Sequence, residues 1–302
     1  MKQENQGIWK YWKLLPFVSE KYRLSQGEGS TGLKRYDGIY FKCEFENPTG
    51  SVKDRGICFQ VAKLSENGQK KAVISSSGNA AISAASYCNL QGITLKVYVS
   101  PKINPHKLAK IASLSLVSKT NKPLSQAFRY SLQYKAANLR QSTDPHGWVG
   151  YSTISFELKE ELPLIDALFL PVSSGTTLLG IFNGFAELNN LPAIHAVQSA
   201  FLNPLSSQFD KKFIPEKNNL CDAIVAKYLP LEKKIIDIIK KTKGFSWTVE
   251  NSQIRKKGEQ LKKYNLNVSN EGAACLAAVY KAAACGYVYK NPVCLLTGMS
   301  YS

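Results

Sequence analysis

Apolar positions fall into short runs of strand length and longer segments of helical spacing, separated by small or polar residues. Ile39-Tyr40-Phe41-Lys42-Cys43-Glu44-Phe45 alternates and predicts a strand, and the turn chemistry of Asn47-Pro48-Thr49-Gly50 follows it. Ile57, Phe59, Val61, Ala62 and Leu64 then mark a helix over 54–66, with Ser51 placed to cap it and Lys53 in its first turn. After the Asn67-Gly68 turn, Lys71-Ala72-Val73-Ile74 reads as a strand that breaks into Ser75-Ser76-Ser77-Gly78-Asn79. A small-residue helix over 80–90 and a strand over 94–99 complete a strand, loop, helix, strand unit. That order predicts a parallel sheet whose functional loops leave the carboxyl ends of its strands.

Farther along, 105–118 and 123–140 read as helices, with 112–117 open to a strand reading. A polar loop occupies 141–150 and a helix 151–162. The apolar run at 167–172 predicts a strand that ends in Ser173-Ser174-Gly175-Thr176-Thr177, with a helix over 178–188 behind it and a strand at 195–198. Residues 203–268 are lysine-rich and weakly patterned, with helices expected at 230–241 and 251–263. A helix at 273–284 and a strand at 293–296 finish the pattern. Trp9, Tyr11, Trp12, Leu14, Leu15, Phe17 and Tyr22 make residues 1–25 an aromatic arm expected to pack on the main body.

The 302 residues, 44% hydrophobic, suit one large or two ordinary globular domains. Cysteines at 43, 58, 88, 221, 275, 285 and 294 show no C-x-x-C spacing, and there are only three histidines. The expectation is therefore buried thiols in a reduced, cytoplasmic protein, with no disulfide framework and no metal site. Leu14-Leu15-Pro16-Phe17-Val18 is too short and proline-broken for a signal-peptide core, and no run reaches membrane-spanning length, so export and membrane insertion are not expected. The net charge of +17, from 39 Lys and Arg against 22 Asp and Glu, is spread over scattered lysines. It reads as a solvated surface that favours anionic ligands, with no nucleic-acid partner expected.

Lys53 stands out. A cation in the first turn of a helix opposes the dipole, so its amine is either solvated or kept neutral for chemistry such as Schiff-base formation. Residues 173–177, followed by a helix, suit a phosphate through backbone N–H groups and hydroxyls, although a plain strand-to-helix turn is equally consistent. Residues 75–79 can offer hydroxyls to a carboxylate and an amide to a phenolic oxygen, with helix capping by Ser77 or Asn79 as the alternative. An aldehyde-binding amine, a phosphate cradle and a carboxylate loop together are what pyridoxal 5'-phosphate chemistry on an amino acid requires.

The segment Asn47-Pro48-Thr49-Gly50-Ser51-Val52-Lys53-Asp54-Arg55-Gly56 resembles the cofactor-lysine motif of fold type II pyridoxal-phosphate enzymes, the group of threonine synthase, cysteine synthase and the serine/threonine dehydratases. Ser76-Ser77-Gly78-Asn79-Ala80-Ala81, Pro171-Val172-Ser173-Ser174-Gly175-Thr176-Thr177, Glu271-Gly272-Ala273-Ala274 and Leu295-Leu296-Thr297-Gly298 are similar to further signatures of that group, in its order. Gly27-Glu28-Gly29-Ser30-Thr31 resembles the entry motif of threonine synthase. The resemblance implies a tryptophan synthase β-like fold: two parallel-sheet α/β domains, a smaller one at 38–152 and a larger one from 1–37 plus 153–302, with the cofactor between them. It implies that Lys53 carries the cofactor and moves protons, and that Asn79 bonds the pyridine 3-oxygen. Ser173, Ser174, Gly175, Thr176 and Thr177 would hold the phosphate, and Thr297 would meet the pyridine nitrogen. Ser76 and Ser77, with Ser142, would bind the substrate, and a homodimer is the expected assembly.

The chain also departs from threonine synthase. Gly147 stands where that enzyme has an arginine on the substrate phosphate, and Val225-Ala226-Lys227-Tyr228 replaces its A-T-G-I. Lys227 or His146 is a candidate for the missing positive contact, and for Lys227 a plain surface lysine is the alternative. The implied activity is a lyase of amino-acid biosynthesis acting at the β or γ carbon of an amino acid, phosphorylated or not. Cysteine synthase-like β-replacement, serine/threonine dehydration and a catalytically degenerate cofactor-binding paralogue are the alternatives.

Overall fold

The computed structural model describes residues 6–301. Residues 1–5 of the predicted arm, and residue 302, lie outside the described residues. In chain order the strands and helices are β1 (Leu33–Tyr36), β2 (Ile39–Lys42), α1 (Lys53–Glu66), β3 (Lys71–Ser75), α2 (Asn79–Leu90), β4 (Thr94–Val99), α3 (Pro105–Ala112), β5 (Leu116–Lys119), α4 (Pro123–Tyr134) and β6 (Ala137–Asn138). They continue as α5 (Ser152–Glu161), β7 (Ala167–Pro171), α6 (Thr176–Glu187), β8 (Ala193–Ser199), α7 (Glu232–Lys241), β9 (Ser246–Val249), α8 (Asn251–Lys263), α9 (Asn270–Ala284) and β10 (Pro292–Leu295). This is the α/β architecture with parallel sheets that the sequence implies. Two compact units divide it: one holds residues up to 30, 47–153 and 301, the other 31–46 and 154–300.

The first unit is built on a parallel four-stranded sheet in the order β5-β4-β3-β6. The steps β3 to β4 and β4 to β5 run one way across the sheet, while β5 to β6 runs back. Right-handed crossovers therefore put α2 and α3 on one face and α4 on the other. Accordingly α2 packs on α1 and α3, while α4 packs on β3, β4 and β6.

The aromatic arm belongs to this first unit, and not to the larger half in which the sequence reading put it. Trp9 is buried, donates its indole N–H to Leu24 O at 3.0 Å and lies 5.8 Å from the Phe59 ring of α1. The fully buried carboxylate of Glu28 accepts bonds from Tyr87 Oη on α2 (2.7 Å), Ser25 Oγ (2.9 Å) and the Gln26 amide (3.1 Å). These contacts fasten the arm to α1 and α2. The other boundary shifts for a similar reason: residues 31–46, expected to be split at 38, all go with the second unit, where β2 pairs with β10.

The second unit has a six-stranded sheet in the order β1-β2-β10-β7-β8-β9, parallel except for the β1-β2 hairpin. Its core gathers Phe41, Phe169, Trp247, Leu276 and Leu296, with α9 packed on β7, β9 and β10. Lys42 of β2 is fully buried and pairs with Glu157 and Glu161 of α5, each at 2.9 Å, while donating to Thr31 O at 2.7 Å. His195 of β8 is also buried: it accepts the Trp247 indole N–H on Nδ1 (3.1 Å), so Nε2 carries the proton toward Tyr289 Oη (2.8 Å).

Several element boundaries differ from expectation. The helix expected over 105–118 stops at Ala112, and that over 123–140 stops at Tyr134, because Lys135 takes a left-handed conformation (φ 49°) before β6. The strand expected over 39–45 ends at Lys42, and β1 and β9 carry too few residues to show a period in the sequence. Six of the cysteines are buried, Cys285 is exposed, and all are free thiols. Among the described residues no cluster of side chains is arranged for a metal ion, and no helix is long and apolar enough to cross a membrane.

Candidate active site

In the first unit, Lys53 is the first residue of α1. Val52, not Ser51, is the N-cap; the Ser51 hydroxyl instead accepts the Lys53 amide at 3.4 Å. The preceding turn is held by Asp54, whose carboxylate accepts the Thr49 amide at 2.7 Å and the Thr49 hydroxyl at 2.5 Å. Burial pushes Asp54 up to about 6 against those two bonds.

The Lys53 side chain has partial surface exposure, yet desolvation of its ammonium pulls it down from 10.5 to about 8. No carboxylate pairs with it among the described residues; its Nζ lies 5.3 Å from the centre of the Tyr151 ring. Sequence reasoning missed Tyr151, which sits in a short helical turn after a polar loop. Gly150 is the local signal that points to it: a Cβ there would meet Arg55 O at 1.9 Å, so only glycine lets this turn approach α1 so closely. Tyr151 Oη is held in turn by Gln141 Oε1 at 2.7 Å.

The loop after β3 brings Ser76, Ser77 and Asn79 to the carboxyl end of that strand, with α2 starting at Asn79 and packed on the helix that Lys53 opens. Neither Ser77 nor Asn79 caps α2: the N-cap is Gly78, with no side-chain bond to the helix. Ser76 Oγ accepts the Gly78 amide (3.2 Å) and Ser77 Oγ the Ser100 amide (2.8 Å), which orients both hydroxyls while leaving each proton to donate. Asn79 Oδ1 is buried with no hydrogen-bond partner. A buried carbonyl oxygen left in this state costs free energy, so its retention suits a hydrogen-bond donor to be met there.

Ser142 lies half-buried in the loop that Gln60 ties to α1 through Asp144 (2.6 Å). Gly147 in that loop has no room for a side chain, since a Cβ would meet Gln141 O at 2.2 Å. His146 leans on Asp144, with its Nδ1 3.7 Å from the carboxylate.

In the second unit, β7 and β10 pair in parallel, so residues 173–177 and Thr297 leave the carboxyl ends of neighbouring strands together. Gly175 is the N-cap of α6 at φ +87° and supplies no side-chain bond, leaving the first N–H groups and the positive helix end open to an anion. A Cβ there would also strike Ile235 Cγ1 of α7 at 2.7 Å. Ser174 and Thr176 hydroxyls are 3.1 Å apart, and Ser173 Oγ accepts the Val225 amide at 3.4 Å.

Thr297 is fixed from both sides, by the Leu296 amide donating to Lys42 O (3.0 Å) and by Gly298 O accepting the Ser269 amide (2.9 Å). The buried Glu271 of the E-G-A-A signature accepts the Ala223 amide at 2.6 Å, which holds the strand of loop leading to Val225. Lys227 lies in that loop, exposed, between the exposed Val225 and Tyr228.

An amine of lowered basicity at a helix start, an unpartnered buried amide on the adjoining helix and an uncapped helix end behind a glycine turn are features of an aldehyde- and phosphate-binding enzyme on a parallel α/β frame. The sequence pattern of the pyridoxal-phosphate dependent enzymes matches residues 23–298, and the chain belongs to that family. Its cofactor is pyridoxal 5'-phosphate, and the residues above fit that group. Threonine synthase from Methanocaldococcus jannaschii is 26% identical over 328 residues, covering 99% of this chain and 81% of that protein. A threonine synthase from Methanosarcina acetivorans is 27% identical over 329 residues, covering 99% and 80%. Among solved structures, maize serine racemase superposes with a TM-score of 0.79 at 19% identity, covering 90% of this chain and 88% of that one. These matches bear out the fold type II resemblance.

Proposed function

We propose that this chain carries out elimination or replacement at the β or γ carbon of an amino acid, as a threonine synthase-like lyase. The observation that carries the reading is Lys53: an amine at a helix start, without a counter-ion among the described residues, held near a basicity of 8 by desolvation. Such a group is neutral often enough near neutral pH to condense with an aldehyde and to accept a proton. The naming of relatives similar over nearly the whole chain as threonine synthases supports the same reading.

Pyridoxal phosphate, when bound, supplies the electron sink that makes the substrate α-proton acidic. The remaining work falls to the chain. Lys53 Nζ accepts that proton and returns it, and the Tyr151 ring face keeps water and carboxylates off the amine. Asn79 would hold the ring's phenolic oxygen through its amide N–H, and residues 173–177 would hold the phosphate on the α6 end. Thr297 would offer the ring nitrogen a hydroxyl and no charge, which would make for a milder sink. Ser76 and Ser77 would donate their oriented hydroxyls to the substrate carboxylate, and Ser142 and Lys227 are further candidates for holding the substrate.

A second reading rests on Gly147. Because the backbone of Gln141 fills the space of any side chain at 147, the arginine that resemblance to threonine synthase calls for has no place. A substrate without a phosphate, such as serine, threonine or O-acetylserine, then fits as well as O-phosphohomoserine. The test is to add each of these to the purified holoprotein and follow both the visible spectrum and products. Threonine and phosphate from O-phosphohomoserine support the first reading; α-keto acid or β-replacement products from the others support the second. A spectrum that no amino acid perturbs would sink both.

A further inference from the structure

We propose that the α4 side of the first unit binds the surface of an anionic lipid bilayer, a property independent of the catalytic reading above. Its first basis is charge. Residues 67–143 contain eleven lysines and arginines and not one aspartate or glutamate. This stretch builds β3 through β6 with α2, α3 and α4, so α4 and the strands under it carry cations and no carboxylate.

The second basis is an apolar ridge. On α4, Ala127 and Tyr130 face the sheet, where Tyr130 meets Tyr98 of β4 with ring centres 6.1 Å apart. The opposite face carries Leu124, Phe128 and Leu132, which are 53%, 60% and 67% exposed and stand at i, i+4 and i+8 in one line. Because the crossover handedness puts α4 on the sheet face away from α2 and α3, this line projects outward. Lys119, Lys122, Arg129 and Lys135 border it, all exposed and none ion-paired among the described residues.

These features select among occupants. A second copy of the same face would set one cationic rim against another, which disfavours self-pairing. A nucleic acid would meet the charge but offers phosphate and sugar where the ridge offers leucine. An acidic protein segment needs complementary charge only along its own footprint, whereas a uniformly negative surface rewards an α4 that carries no carboxylate and has cations at both ends. Leucine and phenylalanine entering the acyl boundary, with lysine and arginine at the headgroups, is the arrangement of an interfacial helix.

The experiment is co-sedimentation of the holoprotein with phosphatidylcholine vesicles, with and without phosphatidylglycerol. Binding is expected only with phosphatidylglycerol and is expected to fall as salt is raised. Replacing Phe128→Ser together with Leu132→Ser should cut the partition coefficient about tenfold or more. Lys122→Gln with Arg129→Gln should cut it roughly 25-fold, at about fivefold per charge. All four positions are exposed, so circular dichroism and the cofactor absorbance should not change in either variant.

Several outcomes overturn the proposal. Equal binding to both vesicle types removes the charge argument, and full binding by the Phe128→Ser, Leu132→Ser variant removes the ridge. Displacement by millimolar glycerol phosphate would assign a headgroup pocket in place of a surface. Capture of a synthetic leucine- and glutamate-rich helical peptide, without vesicle binding, would assign an acidic protein partner.

Discussion

Replacing Lys53 with alanine removes the amine on which the catalytic reading depends, and its pH dependence provides the sharper measurement. An ordinary lysine with a value of 10.5 is neutral in roughly one molecule in a thousand at about pH 7.5. At the depressed value of about 8, roughly a quarter of the molecules carry a free amine at that pH. Burial alone therefore raises the fraction of free amine roughly 240-fold. The assay is the rate at which the cofactor-free protein captures pyridoxal phosphate, followed by visible absorbance across pH. The expected profile bends near pH 8 and then flattens, and Lys53→Ala shows no capture band. An inflection at 10 or above would refute the desolvation argument, and a band retained in Lys53→Ala would refute the assignment of the amine. The same shift affects stability. The unfolded chain holds the proton between about pH 8 and 10.5 while the folded one does not, so this group's contribution rises with pH across that window.

Lys42→Met should destabilise the second unit by about 3–5 kcal/mol in urea melts, since the buried Glu157 and the partly exposed Glu161 each lose the ammonium 2.9 Å away; a loss under about 1 kcal/mol would show that α5 relaxes to hydrate them. Burial lowers His195 from 6.5 to about 3. The unfolded state therefore takes up a proton first as pH falls through that range, and stability is lost there. His195→Gln should flatten the dependence of the denaturation midpoint on pH between those values, and an unchanged slope would assign the acid sensitivity to other groups. Gly147→Arg, intended to restore a phosphate contact, should instead cost about 2–3 kcal/mol through its clash with the Gln141 backbone and give no tighter binding of O-phosphohomoserine in a spectral titration.

Much of the candidate site was legible because it is built from local chemistry. A turn of Asn, Pro, Thr and Gly, a small-residue loop after an alternating strand and a glycine before a helix each carry their meaning within a few residues. That is why Lys53, residues 75–79 and residues 173–177 could be singled out one after another, and why the parallel α/β order followed from their spacing. The weakly patterned strands were not legible in the same way. The short β9, whose four residues are all buried, reveals its partner only once β8 lies beside it.

The sequence by itself determined the parallel α/β order around residues 71–99, the chemical type of the loops at 75–79 and 173–177 and the cofactor class, since all three depend on neighbours along the chain. Tertiary structure decided what those residues can do. Lys53 becomes a weak base because its ammonium is desolvated beside a tyrosine ring from a remote segment. Asn79 becomes an unpartnered acceptor only when the surrounding atoms close over it. The aromatic arm joins the lysine-bearing unit because Trp9 and Glu28 find their partners on α1 and α2. Gly147, which in sequence reads as a missing arginine, is in the fold a position with no room for one. Desolvation and steric exclusion are sums over atoms gathered from distant parts of the chain, and no local window of sequence contains them.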